Sequence, residues 1–370
     1  MKKIILNSNI LWTIIQFRKD LIIELQKTYE VICIADSDDF LYDSLQVSKN
    51  LNIEYIQISI DRKGVNPFID IMYFVKLYKI YSKIKPDLVI HYTIKPNIYG
   101  SLACRLLNIK SFAVVSGLGS SFIRDGFITK IVKYLYSWAL KDSKKVIFLN
   151  NDDLNIFIEH NIIQKHQALQ LPGEGVDVNF YQTCKKEEDK SLTFLMVARL
   201  LKDKGIYEYI YAIKAIKTKK NVKFLLAGVL DEDNATSIKQ YELDKWIEDG
   251  VIEYIGTKED VKDFFKLADV VVLPSYREGM SRILLEACSC EKFIIASNIA
   301  GCKELCIDGK NGYLCETKST ESLKNAIEKT LNLSRTDLIN MGKNGRDLVV
   351  NNYSTHIVNK IYKKIIKEFI

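Results

Sequence analysis

The sequence predicts an α/β protein made of two doubly wound parallel sheets flanked by helices. Short β-branched runs alternate with amphipathic helical stretches through most of the chain, the pattern left by parallel strands joined by helical crossovers. The alternation stops once, near Leu171-Pro-Gly-Glu-Gly-Val176, and restarts after a polar segment at 185–190. A chain of 370 residues with 48% hydrophobic and 27% charged residues is neither disordered nor fibrous, and it is long enough for two or three domains with cores of their own.

In the first half the runs 3–6, 31–35, 53–58, 88–91, 112–115 and 146–149 read as strands, and helical periodicity fills 67–84 and 128–140. This makes 1–170 a first domain and 171–190 a linker or hinge. The rhythm resumes with strands at 193–197, 223–227, 252–255, 270–273 and 293–296, so 191–352 is a second domain. A final helix over 354–368 fills the remainder, 353–370. In such an architecture a ligand is expected in the cleft beyond the carboxyl ends of the strands.

Lysine and arginine outnumber aspartate and glutamate 53 to 46, a net charge of +7. The excess is uneven: 1–170 holds 22 basic and 16 acidic residues, and 171–370 holds 31 and 30. A basic first half suits nucleic acid, anionic lipid or a phosphorylated substrate, and charge alone does not choose among them. The uncharged stretch 111–123 is 13 residues with two glycines and four serines, short of the roughly 20 apolar residues of a spanning helix. The start, Met1-Lys-Lys-Ile-Ile-Leu-Asn7, reads as a first strand, not an export signal. Eight scattered cysteines lack the paired spacing of a zinc site, and the four histidines lie elsewhere. They are expected to be reduced core residues in a reducing compartment, most simply a cytoplasm.

The segment Val270-Val-Val-Leu-Pro-Ser-Tyr-Arg-Glu-Gly-Met-Ser-Arg-Ile-Leu-Leu-Glu286 carries the most chemistry. A buried strand runs into a short loop, and a helix begins near Ser281, which can cap it. Gly279 lets backbone approach a ligand closely, and the helix start offers free N–H groups of positive polarity. Such a cradle suits phosphate. Glu278 would sit at its mouth, near a sugar, and Glu286 further along the helix, near a ribose diol; an exposed glutamate on an ordinary helix is the plainer alternative. A second segment, Leu195-Met-Val-Ala-Arg-Leu-Leu-Lys-Asp-Lys-Gly205, places Arg199 and Lys204 after the first strand of the second domain. Two cations there can meet a diphosphate and oppose the charge that builds as it leaves. Lys202 reads as a solvated turn residue.

Glu278 and Glu286, preceded by Arg199 and Lys204, resemble the signature of family-4 retaining glycosyltransferases with the GT-B fold. That resemblance implies two Rossmann-like doubly wound domains facing across a cleft, with the C-terminal helix packing back on the N-terminal domain. Gly175-Val-Asp177, Gly228, Gly256-Thr-Lys-Glu-Asp-Val261 and Asp308-Gly-Lys-Asn-Gly-Tyr-Leu314 follow the same pattern in order. The first half is similar to a narrower branch through Phe17-Arg18, Tyr92-Thr-Ile-Lys-Pro-Asn-Ile-Tyr-Gly100 and Ser116-Gly-Leu-Gly119. That branch builds polyprenyl-diphosphate-linked oligosaccharides and includes bacterial N-acetylgalactosaminyltransferases. One departure stands out: many relatives carry a Gly-Gly pair in the first loop, and here the segment is Asn7-Ser-Asn-Ile-Leu-Trp12.

The resemblance implies roles. Arg199 and Lys204 bind the donor diphosphate, Glu278 holds sugar hydroxyls and Glu286 the ribose. Backbone N–H groups of Met280, Ser281 and Arg282 reach phosphate oxygens, beside Gly279 and Gly228, and the segment from Thr257 to Val261 flanks the nucleobase, expected to be uracil. Asn9 and Thr13 are candidate acceptor or phosphate contacts. His91 contacts acceptor or sugar, or is hydrogen-bonded within the sheet; Lys95 meets acceptor phosphate; Arg18 is a phosphate ligand or a surface ion pair. Gly117 and Gly119 form a tight loop beside a helix start, or a simple turn. No metal and no other cofactor is expected, and no Asp-x-Asp triplet lies within 270–286. Asp36-Ser-Asp38 has that spacing but reads as a solvated loop.

The expected reaction moves a sugar, N-acetylgalactosamine first, from a UDP-sugar to a polyprenyl-diphosphate-linked saccharide, without a nucleic-acid partner. The stretches 71–85 and 129–145 mix aromatic and aliphatic residues with lysines. They are core-facing helices with a basic stripe or a peripheral footing on an anionic membrane surface, placing the enzyme on the cytoplasmic side. A different sugar or acceptor is the nearest alternative, and a non-catalytic nucleotide-sugar-binding protein a more distant one.

Overall fold

The structure is a computed structural model that describes residues 1–370 except 38–40, 63, 65, 119–126, 185, 187–190, 217–220, 232–233 and 259. In chain order the elements are β1 (Lys3–Ile10), α1 (Leu11–Gln26), β2 (Glu30–Asp36), α2 (Leu41–Asn50), β3 (Glu54–Gln57), α3 (Pro67–Ile84) and β4 (Leu88–Tyr92). A π-helical turn, Pro96–Gly100, leads into α4 (Ser101–Leu106), followed by β5 (Lys110–Val115), α5 (Phe127–Ala139), β6 (Lys145–Phe148), α6 (Asn151–Glu159) and β7 (Ala168–Gln170). Next come β8 (Leu192–Val197), α7 (Ile206–Ala215), β9 (Val222–Ala227), α8 (Gln240–Glu248), β10 (Glu253–Tyr254), α9 (Lys262–Phe265), β11 (Val270–Leu273) and α10 (Arg282–Ser289). The chain ends with β12 (Phe293–Ser297), β13 (Gly312–Cys315), α11 (Thr320–Leu331), α12 (Arg335–Asn352) and α13 (Thr355–Phe369).

These elements form two compact units, Met1–Glu174 with Thr355–Ile370, and Gly175–Ser354. Where the sequence suggested a linker over 171–190, residues through Glu174 pack with the first unit and those from Gly175 with the second.

The first unit is a parallel seven-stranded sheet in the order β3-β2-β1-β4-β5-β6-β7. Its central strands bury residues on both faces, as in Ile4, Ile5 and Leu6 of β1 or Leu88, Val89 and Ile90 of β4. This is why they read as continuous apolar runs rather than alternating ones. α3 starts where the Asn66 side chain accepts from the Phe68 N–H, with Pro67 in the first helical position, and stops at Lys85 in a left-handed conformation. α1 buries Leu11, Ile14, Ile15, Leu21, Ile22 and Leu25, a single helical stripe. α13 packs back on this unit: it buries Val358, Tyr362, Ile365 and Ile366, and Phe369 meets Phe112 edge to face at 5.6 Å.

The second unit is a parallel six-stranded sheet in the order β10-β9-β8-β11-β12-β13. A backbone bridge between Val176 and Ser354 ties its two ends. In both units the chain adds strands outward from a central one and then returns to its other side. The switch points therefore fall between β1 and β4 and between β8 and β11, where the carboxyl ends open a crevice for ligands.

Candidate active site

In the second unit the segments leaving β8 and β11 flank the switch point. After β8 the chain passes Arg199, which is exposed, makes a tight helical turn at Lys202–Lys204 and enters α7 through Gly205. Gly205 has φ 77°, and a Cβ there would lie 2.2 Å from the Pro274 carbonyl oxygen. Only glycine allows this turn to press against the segment following β11. The Tyr276 N–H donates to the Asp203 carbonyl at 2.8 Å, fastening the two loops together.

The outcome is an ion pair. Lys204 Nζ lies 2.7 Å from Glu278 Oε1, with the two side chains 20% and 15% exposed. Ser275 Oγ donates to the same oxygen at 2.8 Å. The cation and carboxylate singled out in separate motifs thus share one place at the carboxyl end of the sheet.

Gly279 and Met280 follow, partly buried, and Ser281 caps α10 by accepting from the Leu284 N–H at 3.4 Å. The Ser281 N–H itself donates to the Gly301 carbonyl at 2.9 Å. This corrects one expectation, because that amide is already satisfied and is not offered to a phosphate. Glu286 is buried, and Arg282 Nε donates to its Oε1 at 2.6 Å across one helical turn. Burial pushes the Glu286 carboxyl up, against the pull of Arg282 and a hydrogen bond with Tyr181.

Gly228, with φ 141°, would place a Cβ 1.7 Å from the Ala198 carbonyl oxygen. Its N–H donates to Gly256 at 2.9 Å and its carbonyl accepts from Tyr254 at 2.8 Å, joining the loops after β8, β9 and β10. Thr257 is exposed nearby in sequence, and Val261 packs on the Phe264 and Phe265 core; Glu259 lies outside the described residues. The motif 308–314 forms the turn into β13, with Asp308 Oδ1 accepting from the Leu314 N–H at 2.8 Å.

The first unit changes more of the expectations. Asn7 to Trp12 form no loop: β1 runs to Ile10, shifts register between Asn7 and Ile10, and α1 begins at Leu11. Thr13 Oγ1 is hydrogen-bonded to Ser8 Oγ at 2.8 Å and to the Ile10 carbonyl at 2.9 Å, and Ser8 Oγ reaches Asn9 Oδ1 at 3.3 Å. His91 is fully buried beside Asn7, 3.4 Å from its amide nitrogen, and burial lowers its pKa to about 3. It is the sheet-bound histidine of the two alternatives.

Arg18 is neither surface pair nor exposed ligand. It is buried, paired with Glu174, donates to the Thr13 carbonyl at 2.8 Å and stacks over Tyr92 at 4.0 Å. Lys95 pairs with Asp70 at 2.5 Å, whose other oxygen accepts from Tyr99 at 2.9 Å, so its charge is already matched. Gly117 is partly buried with φ 148°; Gly119 lies outside the described residues. Asp36 closes its own loop, accepting from the Ser37 and Ile60 N–H groups at 2.8 and 2.9 Å; Asp38 lies outside the described residues.

Sequence reasoning passed over Ser275, Tyr181 and Thr93. Ser275 sits three residues before Glu278, and Tyr181 comes from the chain's entry into the second unit, with no local signal. Thr93, at the end of β4, has φ 71° and a buried Oγ1 without a hydrogen-bond partner, an unusual backbone state for a β-branched residue.

Residues 3–150 match the family described as glycosyl transferase 4-like, and residues 180–348 match glycosyl transferases group 1. The chain is 28% identical over 377 residues to the Campylobacter jejuni N,N'-diacetylbacillosaminyl-diphospho-undecaprenol alpha-1,3-N-acetylgalactosaminyltransferase, covering 96% of each chain. It is 28% identical over 314 residues to the Escherichia coli UDP-Gal:alpha-D-GlcNAc-diphosphoundecaprenol alpha-1,3-galactosyltransferase, covering 80% of this chain and 78% of that one. Among solved structures, a Rickettsia africae glycosyltransferase superposes with a TM-score of 0.80 at 20% identity, covering 100% of this chain and 98% of that one. Anabaena HepE in complex with UDP does so with a TM-score of 0.78 at 16% identity, covering 100% of each. The chain belongs to the glycosyltransferases and has their two-domain GT-B fold, with a glycosyl transferase 4-like first domain and a group 1 second domain.

Proposed function

We propose that this enzyme transfers a sugar, N-acetylgalactosamine first, from a UDP-sugar to a polyprenyl-diphosphate-linked saccharide with retention of anomeric configuration. The observation that carries the reading is the Lys204–Glu278 pair at the β8/β11 switch point, 2.7 Å apart. A diphosphate arriving there takes over Lys204, with Arg199 from the same loop, and frees the Glu278 carboxylate for sugar hydroxyls. The helix start at Met280 and Arg282 adds positive backbone polarity. Glu286, set by Arg282 and Tyr181, takes the ribose, and the loops joined at Gly228, from Thr257 to Val261, flank the base.

In this reading the acceptor hydroxyl attacks the anomeric carbon on the face the diphosphate leaves. The carbon–oxygen bond to phosphate breaks, the glycosidic bond forms, and the hydroxyl proton passes to the departing phosphate oxygen. Lys204 and Arg199 stabilise charge that exists in full only as UDP leaves, so their effect falls on turnover. No metal enters this scheme.

The first unit supports a footing on an anionic membrane surface. α3 exposes Phe68, Ile71, Met72 and Val75, and α5 exposes Tyr134 and Trp138, while α3 and α5 both pack against α4. Exposed apolar side chains beside lysines suit an interface with acidic lipid. Among the described residues no helix is long and apolar enough to cross a membrane, so the proposed seat is peripheral, on the cytoplasmic face.

The deciding experiment is a panel of UDP-sugars with isolated polyprenyl-diphosphate acceptors, scored by product mass. UDP-N-acetylgalactosamine should give the expected mass increment. Transfer of galactose alone would change the sugar, and no transfer from any UDP-sugar would overturn the reading.

A further inference from the structure

All eight cysteines are buried and unlinked. Cys184 and Cys290 stand apart from the other six because their sulfurs are 3.3 Å from each other, although 106 residues separate them in sequence. The Cys184 N–H donates to the Cys290 carbonyl at 3.3 Å, so the two main chains run side by side at that point. A disulfide needs the sulfurs to close to about 2.05 Å, a small movement for two side chains already in contact.

The two thiols differ in access. Cys184 is 7% exposed and lines a cavity of about 510 Å³ with Lys186, Asp269, Lys292 and Arg335. Cys290, at the end of α10, is completely covered. The electrostatics differ as well. The two sulfurs share a hydrogen bond that lowers the Cys184 pKa, with help from the Lys292 ammonium, and raises that of Cys290, with help from burial. Lys292 is fixed there by the carbonyls of Cys184 and Ala268. Elsewhere burial does the opposite, pushing the Cys33, Cys288 and Cys315 thiols up to about 12.

We propose that Cys184 and Cys290 form an oxidisable dithiol, a site of reversible covalent modification by hydrogen peroxide. The Cys184 thiolate attacks a peroxide oxygen; the O–O bond breaks, Cys184 becomes a sulfenic acid and the second oxygen leaves as water after taking a proton. The Cys290 sulfur then attacks the sulfenic sulfur. An S–S bond forms, the S–O bond breaks, and the oxygen leaves as a second water carrying the Cys290 proton. Two thiols have given two electrons to one peroxide. A thiol reductant reverses the step. The chemistry does not depend on which sugar or nucleotide the enzyme takes.

The test uses the full chain, reduced and then exposed to equimolar hydrogen peroxide at neutral pH. Free thiols are counted after denaturation and disulfides mapped on proteolytic peptides. The expected result is a fall from eight free thiols to six, a mass loss of about 2 Da, a peptide pair joining Cys184 to Cys290, and full recovery with dithiothreitol. Cys290→Ser should stop at a sulfenic acid on Cys184, trapped by dimedone, and Cys184→Ser should oxidise at least ten-fold more slowly. Eight thiols surviving oxidation, or a disulfide between any other pair or between two chains, would overturn the proposal, and the unmodified protein alone decides this.

Discussion

Lys204 Nζ and Glu278 Oε1 lie 2.7 Å apart and partly buried, joined across two loops that Gly205 brings together. Each is the other's counter-charge until a ligand arrives. Lys204→Ala should lower kcat by a hundred-fold or more, in the range seen when one transition-state donor is removed, while the thermal midpoint moves only a few degrees. Equal turnover in the variant would remove the leaving-group role.

Glu278→Gln keeps an acceptor for Ser275 but discards the charge. Sugar transfer should be lost while UDP binding is retained, as read by calorimetry beside a product assay. Should UDP binding vanish instead, the roles of the two glutamates are wrongly divided.

Glu286 is buried against Arg282 and Tyr181. A hydrogen bond to a charged group contributes about 1.5–3 kcal/mol, so Glu286→Ala should weaken UDP by ten-fold to a hundred-fold. Uridine monophosphate should weaken by a similar factor, because the ribose is common to both. A variant that weakens UDP alone would point to the phosphates.

His91 is held neutral, its pKa lowered by burial to about 3. In the unfolded chain it takes a proton near pH 6.5, so the stability it gives is complete above that value and is lost as pH falls toward 3, at up to about 1.4 kcal/mol per pH unit. Denaturant melts from pH 7 to 4 should therefore show a shallower acid limb for His91→Asn. A limb of unchanged slope would place the titration in other groups.

The footing on lipid is tested by sedimentation with vesicles containing phosphatidylglycerol. The pair Phe68→Ser and Met72→Ser should reduce bound enzyme at least five-fold without lowering kcat on a detergent-solubilised acceptor, and high salt should release the native enzyme. Binding that ignores both changes would leave these helices as ordinary surface.

The strands at the centre of each sheet were legible because burial on both faces leaves an apolar run, as in Val270–Leu273. β7 and β13 were missed. Three residues, Ala168–Gln170, are too few to show a period, and Gly312–Cys315 opens on a glycine inside a turn motif. The donor-side motifs were legible because strand, glycine and helix cap are adjacent in sequence. Partners were not: nothing near Arg18 names Glu174, and nothing near Lys95 names Asp70, so two cations offered to phosphate are already matched inside the fold. The Ser281 amide was misread for the same reason, its acceptor being Gly301.

The chain leaves the first unit at Glu174 and returns to it at Thr355. Domains usually mature in the order of translation, but here the later-made unit is continuous and has all its parts before the earlier one does. The packing of α13 on α1 can therefore form only after every residue of the second unit has been made. A stalled or clipped message lacking that helix would release a finished second lobe attached to an unfinished first one.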